Sequence, residues 1–243
     1  MGRKLCRVVF PILFCVLTQP SYSFAQYEIF VAANRGDLRS VEKILRAEPA
    51  LASSKSKGGF TPLHMAAING HAAIAQLLIE KGAGVDDRNL DGATPLIKAV
   101  QGNHPEMVVM FLRMGADANL RDETGANALL IAEMKEYSEI TPLLIPVSDT
   151  GITTAGGATA LHLAASRSLQ DAESLLRKGA DINVQDNRGW TPLHAAVSGS
   201  QLEIVRLLVQ EGADVTIENN RKETPALLAA RRGNVEIERL LTK

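Results

Sequence analysis

One four-residue phrase returns along this chain at almost constant spacing, and that spacing restricts the fold more than any other feature. Thr61-Pro62-Leu63-His64 is followed by Thr94-Pro95-Leu96, Asn127-Ala128-Leu129, Thr159-Ala160-Leu161-His162, Thr191-Pro192-Leu193-His194 and Thr224-Pro225. The steps are 33, 33, 32, 32 and 33 residues. A fixed period of this size belongs to a repeat architecture, in which one supersecondary unit is stacked on copies of itself and buries its apolar face only against them.

The unit at residues 186–219 shows what each position does. Asp186-Asn187-Arg188-Gly189 is a turn sequence, Thr191 a helix N-cap, and Pro192 a first-turn proline whose missing N–H costs nothing. Leu193, Ala195 and Ala196 make a short first helix, and the small alanines let neighbouring helices approach closely. Gly199 ends it. Residues 201–210 form a second helix with Ile204, Leu207 and Leu208 as an i, i+3, i+4 apolar stripe, closed by Gly212 as a left-handed C-cap. The same skeleton carries Ile74, Leu77, Leu78 and Gly82; Met107, Phe111, Leu112 and Gly115; and Leu175, Leu176 and Gly179. Residues 30–45 fit without the opening phrase, giving seven units with the two terminal ones as caps. Leu77, Leu112, Leu176 and Leu208 are expected to be buried.

In the TPLHxAA and GAD phrases at this period, the chain from Tyr27 to Lys243 resembles the ankyrin repeat family. The resemblance implies an all-α solenoid of stacked helix-turn-helix units with projecting hairpin turns. It also implies binding of other proteins rather than catalysis. Within that frame His64, His162 and His194 fill the fourth place of the phrase, where the imidazole is expected to bond the threonine hydroxyl and the next hairpin's backbone. His71 and His104 open second helices.

Residues 1–25 read differently. Arg3, Lys4 and Arg7 precede an apolar run at residues 8–17, and small residues stand at Ser23 and Ala25, the pattern of a secretory signal peptide cleaved before Gln26. The run is too short to span a bilayer comfortably, so no stable membrane insertion is expected after cleavage. Both cysteines, Cys6 and Cys15, lie in this segment, so residues 26–243 could form no disulfide. These features suit a bacterial periplasm, with secretion as the alternative. Without Arg3, Lys4 and Arg7, 23 of the 26 basic residues remain against 27 acidic ones, a net charge of −4. With no basic stripe, nucleic acid is not an expected partner.

No phosphate loop, nucleophile elbow or zinc-protease helix occurs, and the histidines lack metal-ligand spacing within a unit. No catalytic, cofactor or metal site is therefore expected; an enzyme using His162 and His194 is the remote alternative. Glu133 stands where other units carry the second alanine and reads as a local stacking defect, with a functional carboxylate as the alternative. The unit at residues 122–152 is the weakest copy: Pro142 falls inside the expected second helix, where it removes a hydrogen bond at a cost of about 3 kcal/mol. It reads as an irregular repeat rather than a hinge.

Positions the stack does not need for itself are the turn tips and first-helix ends. Trp190, the only tryptophan, sits at such a turn. With Phe60, Arg167, Asn187, Arg188 and Arg221 it makes the candidate protein-binding set, and the arginines favour a partner with an acidic patch. The reading is an exported interaction module acting on a periplasmic protein as scaffold, inhibitor or protective partner; a secreted effector engaging a host protein is the rival.

Overall fold

The structure is a computed structural model describing residues 23–242. Among the described residues it is all-helical, with no strand and one isolated antiparallel bridge between Thr153 and Thr159. No helix is long and apolar enough to cross a membrane. Packing divides it into two compact units, one ending at Glu123 and the other beginning at Thr124.

The first unit holds three helix pairs: α1 (Phe24–Arg35) with α2 (Leu38–Ala47), α3 (Pro62–Ile68) with α4 (Ala72–Glu80), and α5 (Pro95–Gln101) with α6 (Pro105–Arg113). The second holds four: α7 (Ala128–Lys135) with α8 (Thr141–Leu144), α9 (Ala160–Ala165) with α10 (Leu169–Arg177), α11 (Pro192–Ser198) with α12 (Leu202–Gln210), and α13 (Pro225–Arg231) with α14 (Val235–Leu241). Within each unit first helices pack on first helices and second on second. The signal peptide expected at residues 1–25 lies almost wholly outside the described residues. Its last three are described: Ser23 caps α1, accepting the Gln26 N–H, and Phe24 and Ala25 open the helix.

Each first helix begins as its phrase dictates. The side chains of Thr61, Thr94, Asn127, Thr191 and Thr224 each accept the backbone N–H three residues on. Where the fourth residue is histidine, its imidazole also reaches back, with Nδ1 accepting the N-cap backbone N–H at Thr61, Thr159 and Thr191, and the cap is reciprocal at Thr61 and Thr191. The paired small residues are then sealed between helices: Ala66, Ala67, Ala99, Val100, Ala164 and Ala165 have no exposed surface. Gly102 and Gly199 follow from the same close approach, since a Cβ at either would come within 2.4 Å of the Ile68 or Ser166 carbonyl oxygen.

The apolar ladder of the second helices runs differently from the sequence expectation. Leu208 is fully buried, but Leu77, Leu112 and Leu176 are only half-buried. The deep positions are Leu45, Leu78, Phe111, Leu144, Leu175, Leu208 and Leu241. Adjacent apolar residues compete for one inward direction, and in the four contested pairs the winner, Leu78, Phe111, Leu175 or Leu208, is the one at the same distance from the N-cap of its own second helix, at His71, His104, Ser168 or Gln201. A second correction concerns Pro142. The chain turns through residues 137–140 and α8 starts only at Thr141, so Pro142 occupies a helix first turn and breaks no hydrogen bond. The second helix of this pair is thereby cut to four residues, followed by a 3₁₀ turn at Ile145–Val147.

Candidate binding surface

In the second unit three hairpins stand side by side, closed by Thr154 N–H to Ala158 C=O, Asp186 N–H to Trp190 C=O, and Asn219 N–H to Glu223 C=O. They are stitched together at their tips. Asn187 N–H donates to Gly156 C=O, Asn220 N–H to Arg188 C=O, and the Asn187 side chain to Ala155 C=O. Asn187 is thus a structural link as well as an exposed tip residue.

The histidines fasten this row to the helices below. Nε2 of His162 lies 2.8 Å from the Trp190 carbonyl and Nε2 of His194 lies 3.0 Å from the Glu223 carbonyl. A carbonyl only accepts, so Nε2 carries the proton and Nδ1 is left to accept from the Thr159 or Thr191 N–H. His64 does the same in the first unit with Ala93 and Thr61. Burial dominates their titration, holding His64 and His194 down at about 4 and depressing His162, so all three stay neutral at physiological pH. His71 and His104 bond the carbonyls of Asn34 and Ile68 in the preceding helix pair.

Trp190 forms the wall of a concave pocket of about 420 Å³. Leu163, Ser166, Ala195, Ser198 and Gly199 floor it, and Arg188 and Arg232 flank it. The indole is half-buried against the His194 ring, at a centroid distance of 6.2 Å, and the Arg188 guanidinium lies 4.5 Å over its outer side. Arg188 is in turn held by two bonds to Asp186 Oδ2, at 3.1 and 3.0 Å. Asp186 is itself buried and accepts the backbone N–H of Arg188 and Trp190. The aromatic wall is therefore pre-positioned, which reduces the ordering cost of binding.

The remaining candidates separate. Arg221 is exposed at the neighbouring tip, its side chain without a polar partner among the described residues. Arg167 is committed within the fold: it bonds the Glu133 carbonyl and pairs with the Glu133 and Glu136 carboxylates, each at 3.4 Å. Phe60 belongs to the first unit, where it meets the His64 ring edge-on at 5.8 Å and carries the Lys98 ammonium 5.4 Å from its centroid. Sequence reasoning left Arg232 out of the binding set, although it lines the pocket by reaching back to the Ser198 carbonyl. It also passed over Lys98, which is buried on α5 with its ammonium on Gln101 and its pKa lowered by desolvation. The signal for Arg232 was available, because it holds the same place in its unit as Arg167.

These features define a repeat scaffold presenting a preformed, cation-edged pocket. A family model for ankyrin repeats matches in three copies, at residues 29–122, 98–186 and 171–243, and the chain belongs to the ankyrin repeat family. The crystal structure of the ankyrin repeat domain of Bcl-3, described there as a unique member of the IkappaB protein family, superimposes with a TM-score of 0.76. It is 28% identical, with 87% of this chain and 97% of that domain covered. A probable E3 ubiquitin-protein ligase of Oryza sativa subsp. japonica, XBOS33, is 48% identical over 59 residues, and the palmitoyltransferase akr1 of Schizosaccharomyces pombe is 36% identical over 58. Each of these two matches covers 24% of this chain, but only 11% and 9% of those proteins, so the likeness is confined to a small part of each. The family membership makes this chain a protein–protein interaction module.

Proposed function

We propose that the protein is an exported, non-catalytic binding module whose second unit captures a partner protein at the Trp190 pocket. The observation that carries this reading is the pocket itself: a tryptophan held under Arg188, beside a floor of mostly small residues and bordered by Arg188 and Arg232, with Arg221 exposed at the neighbouring hairpin tip. Buried aromatics and arginines are the side chains that anchor interfaces. The excess of guanidinium groups around the rim suits a carboxylate-bearing segment, so the partner presents an acidic patch. The basic and apolar start of the chain supports export, with a periplasmic partner that this protein scaffolds, inhibits or protects. The Nε2 protons and Nδ1 lone pairs of His64, His162 and His194 are all engaged by backbone and threonine groups, which disfavours a histidine-based enzyme.

The test is capture of the partner from the periplasmic fraction, followed by titration with Trp190→Ala and with Glu203→Lys on α12. Trp190→Ala should weaken binding by about 2 kcal/mol or more and leave the melting temperature nearly unchanged. Glu203→Lys should leave affinity as it was. The reverse pattern would place the interface on the second-helix layer. Intact mass of the exported protein should correspond to a chain beginning at Gln26, and retention of Cys6 and Cys15 would end the export reading.

A further inference from the structure

Glu133 is the residue that the repeat least explains. Ala67, Val100, Ala165 and Val197 hold the equivalent place in other helix pairs, all fully buried. Here the same slot encloses a carboxylate that is 2% exposed. Oε2 lies 3.4 Å from Arg167 Nη2, a long contact for an ion pair, and Oε1 has no hydrogen-bond partner among the described residues. Arg167 comes from the turn between α9 and α10, so the contact bridges two successive helix pairs. Its other bonds go to the Glu133 carbonyl and to Glu136 at the end of α7.

The surroundings do little to favour the charged form. From α10, Asp171 adds a like charge, only partly absorbed by its bond to Ser168. On α8 there is no titratable side chain, and the sole titratable group on α9, His162, is turned toward Thr159 and Trp190. Burial, then Asp171, push the Glu133 carboxyl up to about 7, while Arg167 pulls it down. The joint is also the most weakly built in its unit. Its second helix has four residues where α10 and α12 have nine, leaving less apolar surface to hold the pair in place.

We propose that Glu133 makes the packing of the α7–α8 pair against the α9–α10 pair proton-sensitive: the joint is tight while this carboxyl is neutral and opens more readily once it ionises. The direction follows from linkage. In the packed state the pKa lies above its ordinary value of 4.5. Stabilisation from Glu133 is therefore fully present below that value and is lost as pH rises through about 7. Opening hydrates the carboxylate and releases a proton. This regulation stands whether or not the Trp190 pocket binds the proposed partner.

Native-state hydrogen exchange on the full chain tests it, with protection factors corrected for intrinsic rates and compared between pH 6 and pH 8.5. In the wild type, protection across residues 128–147 should fall about tenfold over this interval relative to α12. In Glu133→Gln, which keeps the shape without the titration, it should stay level; Glu133→Ala, with the residue found at Ala67, should also stay level. Carbon-detected NMR of the Glu133 carboxyl should titrate near neutrality. A level wild-type profile, a fall that persists in the variants, or a carboxyl titrating in the ordinary range would each overturn the proposal.

Discussion

Replacing Leu208 by alanine tests the register on which the second-helix ladder rests. Leu208 has no exposed surface and lies on α12, which packs between α10 and α14. The substitution removes three carbon groups, worth about 2.4 kcal/mol of transfer free energy at about 0.8 kcal/mol each. The space left in a close-packed layer adds a cavity contribution, so the expected loss is about 2–5 kcal/mol. Its neighbour Leu207 is only half-buried. Leu207→Ala should therefore cost roughly 1 kcal/mol, less than half as much. Urea unfolding followed by far-ultraviolet circular dichroism gives both values, and exchange of α10 and α14 amides checks that the loss is felt across the stack, where stability is shared between neighbours. A larger loss at Leu207 than at Leu208 would mean that α12 is rotated about its axis. The matching assignments of Leu78, Phe111 and Leu175 would then be withdrawn with it.

Two further outcomes follow from the buried groups. His64 and His194 titrate at about 4 when folded against about 6.5 unfolded, so the stability they provide is present above 6.5 and lost as pH falls toward 4. Between pH 7 and pH 5 the two lose about 4 kcal/mol together, while Glu133 regains about 2 kcal/mol. Urea midpoints should thus fall more steeply with acid in Glu133→Gln than in the wild type, and parallel profiles would contradict this balance. Gly199→Ala should destabilise by about 1–3 kcal/mol in the same assay, because the new methyl meets the Ser166 carbonyl; a neutral effect would show that the two helices are not so closely spaced.

The period, the N-caps and the histidine slots were legible because each is a local pattern anchored on Thr-Pro-Leu-His, and the structure returns them residue by residue. The choice between Leu77 and Leu78, or Leu175 and Leu176, was less legible: both fit a 3.6-residue stripe, and only the distance from the preceding cap separates them. Pro142 misled for a related reason, since a proline read as interrupting a helix instead marks where a shorter one begins. Of the binding candidates, Trp190 and Arg188 were visible as unusual turn residues. That Arg167 is spent on Glu133 and Glu136 was not, because those partners lie 34 and 31 residues away on another helix pair. Charges whose partners come from the next repeat are hidden from any reading of one unit.

The central claim, that the second unit binds a protein through its pocket, is tested most directly by site-specific photo-crosslinking in the native cell. A photoreactive residue is placed at Ser198, on the pocket floor, and in a separate protein at Glu203 on exposed α12. The account predicts one discrete adduct from Ser198 and none from Glu203. An adduct from Glu203 with none from Ser198 would contradict it.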